Sequence, residues 1–253
     1  MNHPKESKRL NKAISDSGYC SRRKADELIS DGLVALNDQP VSLGDRVMPG
    51  DVIKVRGQII GGPKSEVYIM LNKPVGITCT TDQRIDGNVV DFINFPERIF
   101  HVGRLDKPSE GLLLMTNDGD IVNKILRAGN RHEKEYIVRV DRPINADFIR
   151  RMSRGIPILE TVTKPCVVKQ LSRFVFKIIL VQGLNRQIRR MCDYLDYQVV
   201  SLKRTRIMNL ELGELPSGQW RHLTQSEVSD LQRSLMGSDN GPFSEGEVDQ
   251  DFN

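Results

Sequence analysis

The sequence is short of every residue cluster that would announce a metal, a redox centre or a disulfide. Its four cysteines, Cys20, Cys79, Cys166 and Cys192, lie far apart and form no Cys-x-x-Cys pair. They read as reduced thiols of a reducing compartment rather than as a disulfide framework. The four histidines are isolated, with no His-Glu-x-x-His pattern, so no metal site is expected. No apolar run nears the ~18 residues of a membrane helix. The opening "MNHPKESKRLNK" lacks a signal-peptide core. We therefore expect a cytoplasmic protein with no membrane association. Internal repeats and low-complexity segments are absent too.

What is present is charge, unevenly spread. Residues 237–253 contain five acids and no Lys or Arg; outside them stand 37 basic against 28 acidic residues, a net +9. A body of that sign is a candidate for a polyanion partner, and a tail of Gly, Ser and acid is expected to be disordered. Basic bodies also occur in proteins that bind no nucleic acid, so charge alone decides little.

At 253 residues the chain can bury a proper core. Residues 8–55 hold two short helical patterns followed by short strands around "LVALNDQPV" and "DVIKV". The stretch 57–66, "GQIIGGPKSE", has linker composition. Beyond it, apolar strands such as "VYIMLN", "EYIVRV" and "FVFKIILV" alternate with helical stretches such as "ADFIRRMSRG". The expected fold class is α+β: a small N-terminal module over 1–62, a larger domain on a mixed sheet over 63–236, and the tail 237–253.

Two helix starts conflict with elementary electrostatics. In "CSRRKADELISDG" Ser21 is a good N-cap, and Ala25, Leu28 and Ile29 give an apolar stripe. Yet Arg22, Arg23 and Lys24 fill the first turn, where the helix dipole disfavours cations. In "VQGLNRQIRRMCDYL" Asn185 can cap a helix with the stripe Ile188, Met191, Cys192 and Leu195, and Arg186, Arg189 and Arg190 crowd its start. One such turn is ordinary solvated surface. Two in one chain point to anions held there.

The pattern "RLNKAIS…GYCSRRKADELISDGLVALND" resembles the S4 RNA-binding domain over residues 8–55. That resemblance makes Arg9, Lys12, Arg22, Arg23 and Lys24 candidate RNA contacts.

In "HVGRLDKPSEGLLLMTNDGD" one carboxylate, Asp106, stands between Arg104 and Lys107. A lone Asp is ordinarily a cap or turn residue. Glycosidase chemistry wants two carboxylates at fixed separation; metal-dependent phosphoryl chemistry wants an acidic cluster, and none is evident. The chain offers arginine instead. A carboxylate kept ionised by Arg189 could act as nucleophile or base at a sugar without metal or redox cofactor.

"LNKPVGI" (71–77), "VGRLDKPSEGLLLMTNDG" (102–119), "KEYIV" (134–138) and "GLNRQIRRMC" (183–192) resemble the motifs of pseudouridine synthases. With the S4-like module in front, the chain is similar to the RsuA/RluF branch of that family. Where many relatives carry His before Gln-Ile-Arg this sequence has Arg186, which, like "LRAGNRHEKEY" and "RTRIMN", resembles the RluF-type subgroup. The resemblance implies that Asp106 is the catalytic aspartate, that Arg189 is its ion-pair partner, and that Tyr136 packs against the target uracil. It places Arg104 on RNA phosphates or in the gap left by the departed base, puts Arg186 and Arg190 on RNA, makes Lys73 and Pro74 loop supports of the site, and leaves Asn117, Asp118 and Gly119 as a tight turn. The resemblance also implies that the mixed sheet of the larger domain is mostly antiparallel with a central cleft, and it implies no cofactor. The implied partner is ribosomal RNA of the large subunit, with a tRNA anticodon stem-loop as a second target, and a monomer is expected. The rivals are a non-catalytic S4-type RNA-binding or ribosome-assembly factor, which would not need the Asp, Tyr and Arg motifs, and a hydrolase, which lacks its second acid.

Overall fold

The structure is a computed structural model that describes residues 7–62, 64–127 and 130–238. Most of the acidic tail, 239–253, with the disorder expected of it, lies outside the described residues. The chain divides into two compact units, Met1–Glu66 with Pro96–Arg98, and Val67–Phe95 with Ile99–Asn253.

In the first unit helices Leu10–Asp16 and Arg22–Ser30 pack with a small sheet around a core that includes Leu10, Ile14, Ala25, Leu28 and Val55. Ser21 caps the second helix as its residue type predicts, its hydroxyl accepting from the Lys24 N–H at 3.2 Å. The sheet runs in the order Gln39–Pro40, Val34–Leu36, Ile53–Val55, Gln58–Ile59. The last of these strands occupies the start of the stretch read as linker, because Lys54 pairs with Ile59 and Val55 with Gln58.

The second unit is built on a nine-stranded sheet. Its main path runs Val167–Ser172, Val175–Leu180, Lys134–Val140, Val199–Ile207, Glu110–Thr116, Tyr68–Lys73, Trp220–His222. Every pairing on this path is antiparallel except Val199–Ile207 with Glu110–Thr116, so the sheet is mixed and mostly antiparallel. One core lies where helices Ala146–Arg154 and Gln187–Tyr194 cover Val138, Phe176, Ile178 and Leu202. Helices Gly119–Leu126 and Gln225–Ser234 close a second core over Met70, Leu112 and Leu114, and a third gathers Ile69, Leu71 and Leu113 with Val89.

Three local expectations need correction. Asn117, Asp118 and Gly119 are not a free-standing turn. Asp118 is the N-cap of helix Gly119–Leu126, and the Asn117 side-chain oxygen accepts from the Val67 N–H at 2.8 Å. Asn185 is not the cap of the Gln187–Tyr194 helix. Arg186 holds that position in the left-handed region (φ 49°), with no side-chain cap bond. The reason is local: the Gln187 side chain takes the Leu184 N–H at 3.0 Å, and Asn185 is engaged by Arg190. Lys73 ends the Tyr68–Lys73 strand rather than lying in a loop. It is fully buried and donates to the Pro74 carbonyl at 2.8 Å.

Candidate active site

Strand Phe100–Val102 delivers the chain into a loop that carries Arg104 and Asp106 before strand Glu110–Thr116 begins. Backbone freedom is needed at both ends of this loop. Gly103 has φ +68°, and a Cβ there would lie 2.8 Å from Leu126. Gly111 has φ +106°, and a Cβ there would lie 2.3 Å from the Arg204 carbonyl oxygen, so only glycine lets the two parallel strands approach. The Ser109 N–H donates to the Asp106 carbonyl at 2.9 Å and closes the turn.

The Gln187–Tyr194 helix supplies the countercharge. Arg189 Nε donates to Asp106 Oδ2 at 3.2 Å, and Arg186 Nη1 stands 3.9 Å from the same oxygen. Arg189 is held on other sides as well: its Nη2 donates to Ser109 Oγ at 3.0 Å and to the Pro108 carbonyl at 3.4 Å. Its side chain is 11% exposed and that of Asp106 28%, so the pair sits in a water-poor but open setting. Helical spacing sends Arg190 elsewhere, with its Nε on the Asn185 carbonyl at 3.1 Å.

These groups line a cleft of about 270 Å³, near the small end of ligand pockets, which begins at roughly 300 Å³. Asp106, Arg104, Arg186 and Arg189 share it with Tyr136 and with Leu105, Leu184 and Ile188. Tyr136 is half-buried and packs against two of the cores, at the seam between them. The cleft therefore offers one carboxylate, several guanidinium groups, and aromatic and aliphatic walls suited to a planar base. Among the described residues no three His, Cys, Asp or Glu side chains converge as a metal site.

Of the residues singled out in sequence, Lys73, Pro74 and Arg190 do not line the cleft. Arg9, Lys12, Arg22, Arg23 and Lys24 belong to the other unit. Arg9, Arg22, Arg23 and Lys24 are exposed there, Lys24 pairs with Glu27 at 2.6 Å, and half-buried Lys12 pairs with Asp16 at 3.0 Å.

Sequence reasoning missed Ser109, Lys134 and Arg204, all of which are buried and line the cleft. Arg204 is 2% exposed. Its Nε donates to the Leu112 carbonyl at 2.7 Å and its Nη1 to the Arg104 carbonyl at 3.4 Å, while its Nη2 is buried without a partner among the described residues. It thus ties the Asp106 loop to the central strands. Nothing in the spacing of "RTRIMN" distinguishes this arginine from half-buried Arg206. Burial pushes the pKa of Lys73 down and that of the Cys79 thiol up; the Cys79 sulfur receives the Leu105 N–H at 3.4 Å, one residue before Asp106.

Comparisons with known proteins agree with the geometry. The S4 domain family matches residues 8–53, and the RNA pseudouridylate synthase family matches residues 67–194. The dual-specificity RNA pseudouridine synthase RluF of Escherichia coli K12 is 57% identical over 237 residues, covering 93% of this chain and 82% of that one. The ribosomal large subunit pseudouridine synthase B of Bacillus subtilis is 37% identical, covering 88% of this chain and 95% of that one. A crystal structure of a pseudouridylate synthase superposes with a TM-score of 0.66 at 29% identity, covering 88% of this chain and 99% of that one. The fold is thus an S4 domain followed by a pseudouridine synthase domain, and the chain belongs to the RNA pseudouridylate synthase family, enzymes that isomerise uridine in RNA.

Proposed function

We propose that this enzyme converts uridine in large-subunit (23S) ribosomal RNA to pseudouridine, with a tRNA anticodon stem-loop as a second target, and that it acts as a cytoplasmic monomer without a cofactor. Two relatives support this choice of RNA: one is named for dual specificity, the other for the ribosomal large subunit. Among the described residues no helix is long and apolar enough to cross a membrane. We assign 1–62 to the S4 domain and linker, 63–236 to the catalytic domain and 237–253 to the tail.

The observation that carries the assignment of the site is the 3.2 Å ion pair between Asp106 and Arg189 in a cleft shared with Tyr136. Uridine and pseudouridine are isomers. The N1–C1′ bond breaks, the base turns, C5 bonds to C1′, the C5 proton leaves and N1 gains one, so no atom or electron enters or departs overall. Asp106 starts this sequence, either by attack on sugar or base or by removing the 2′ proton. Tyr136 packs on the uracil and helps remove the C5 proton. Arg104 and Arg186 hold RNA phosphates at the cleft mouth, Arg190 contacts RNA outside the cleft, and Lys73 and Pro74 support the strand end behind the loop. The uridine must leave its stack to reach Asp106, at a cost of about a few kcal/mol. The S4 domain offsets that cost by gripping flanking RNA through Arg9, Lys12, Arg22, Arg23 and Lys24.

The test is Asp106→Asn. Pseudouridine formation on ribosomal RNA should vanish while RNA binding changes little. Substantial turnover by that variant would overturn the assignment.

A further inference from the structure

The catalytic sheet has a second face that the reaction does not use. Strand residues alternate between faces. Val138, Phe176 and Ile178 turn inward to the core beneath the two covering helices, so their immediate neighbours turn the other way. On that outer face the register sets Lys169 opposite Lys177, Lys177 opposite Ile137, and Ile137 opposite Lys203. The row crosses four strands, roughly 14 Å at about 4.8 Å per strand. Arg139 lies two residues along from Ile137, and Arg206 pairs across from Glu135. None of these residues is buried.

Two lysines directly opposite one another on antiparallel strands are destabilising by themselves. Acids on this face neutralise only part of the charge. Glu135 pairs with Lys177 at 3.2 Å and lies 4.0 Å from Arg206, which also pairs with Glu133 at 2.8 Å. Glu110 stands across from Lys203 in the parallel pairing without forming an ion pair with it. Among the described residues Lys169, Arg139 and Lys203 therefore have no acidic partner. The apolar residues between them, Val167, Leu171 and Ile137, are aliphatic, so bases have no aromatic surface to stack on.

We propose that this open face is a second RNA-binding surface that grips the phosphate backbone of a helix of the folded substrate other than the one entering the cleft. The inference rests on the pseudouridine synthase reading of the site. Duplex RNA is held mainly by shape and by phosphate and 2′-hydroxyl contacts. A row of unneutralised cations on a flat sheet with no aromatic platform suits that partner.

The experiment compares the full chain with the triple variant Lys169→Gln, Arg139→Gln, Lys203→Gln. Binding to a long folded ribosomal RNA and to a minimal stem-loop is followed by fluorescence anisotropy across salt, with pseudouridine formation measured separately. The triple variant should bind the long RNA about tenfold more weakly near 0.15 M salt, with a salt slope smaller by about 2, since each lost phosphate contact removes roughly 0.7–0.9. Binding to the stem-loop and the rate at saturating RNA should not change. Lys169→Arg with Lys203→Arg should bind as wild type, which separates charge from fold. An unchanged slope on the long RNA, or equal loss on both RNAs, overturns the proposal. If no RNA is isomerised but the long-RNA slope still falls, the proposed function is wrong and this surface stands.

Discussion

Removing Arg189 is the sharpest perturbation of the site, because its structural consequence can be worked out in advance. At 3.2 Å and an effective dielectric of about 20, the Arg189–Asp106 attraction is roughly 5 kcal/mol before desolvation is counted. Arg189→Ala leaves Arg186 as the remaining countercharge, at 3.9 Å and half-exposed, where water screens it more. It also strips Ser109 Oγ and the Pro108 carbonyl of their donor. Breaking a buried pair by removing one partner costs about 3–5 kcal/mol, and the partial exposure of Asp106 and the presence of Arg186 bring the expected loss to about 2–4 kcal/mol. Because the same pair orients the carboxylate in the transition state, we expect a comparable loss there, which at 1.36 kcal/mol per decade is a fall of roughly 30- to 1,000-fold in single-turnover rate. Arg189→Lys should recover only part of it, because a point charge cannot hold Asp106 and Ser109 together. With Asp106→Asn in the background, Arg189→Ala should cost almost nothing further, since the two act as one unit. The assay is single-turnover pseudouridine formation at saturating RNA, with thermal melts to confirm folding. A rate within threefold of wild type, or simple additivity with Asp106→Asn, would refute the reasoning and leave Arg189 a phosphate contact.

The S4 domain and the scaffold give three more tests. Replacing Arg22, Arg23 and Lys24 with Gln should weaken RNA binding and flatten its salt dependence; Arg22 and Arg23 should account for most of the change, because Lys24 already pairs with Glu27. Gly111→Ala places a Cβ 2.3 Å from the Arg204 carbonyl at φ +106°, so it should lower stability by about 3 kcal/mol or more, read from denaturant midpoints; a midpoint within error of wild type would show that the strands can part. Arg221, in bidentate contact at 2.7 Å, holds the Glu227 carboxyl down to about 2 from 4.5. The stability this contributes is fully present above pH 4.5 and lost as pH falls toward about 2. Allowing for solvent screening it is about 1–2 kcal/mol, and Glu227→Gln should reduce the loss of stability between pH 6 and pH 2 by that amount in acid-titrated melts.

Local signals in the sequence predicted some caps and missed others. Ser21 is an N-cap because its residue type and the stripe behind it leave few alternatives, and the bond to the Lys24 N–H follows. Asn185 had the same credentials, but Arg190 competes for its side-chain oxygen, and the helix starts on a left-handed Arg186. No single-residue preference reports such a competition. The mixed sheet and the alternation of its strands were legible from periodicity. The meeting of Asp106 with Arg189, 83 residues apart, was legible only through the family's motifs. Ser109 and Arg204 escaped because their importance lies in what they touch: a serine hydroxyl behind an arginine, and a guanidinium bonded to the Leu112 carbonyl of a neighbouring strand.

The two helix starts that defied the dipole have different resolutions, and the difference bears on how RNA is held. At Gln187–Tyr194 there is no acid in the first turn, yet the chain supplies an anion from elsewhere: Asp106 lies within 4 Å of both Arg186 and Arg189. The misplaced cations there are largely answered inside the folded protein, and the carboxylate gains a preformed electrostatic seat before substrate arrives. At Arg22–Ser30 there is likewise no acid in the first turn. Lys24 turns to Glu27, which leaves Arg22 and Arg23 exposed with no ion pair among the described residues. Their unfavourable interaction with the dipole, a few tenths of a kcal/mol each, is relieved only by an anion from outside. Arginines alike in sequence thus divide into a pair that faces the Asp106 carboxylate and a pair left exposed without an ion pair among the described residues. Salt should therefore weaken RNA binding through the S4 helix far more than it slows the chemical step at Asp106.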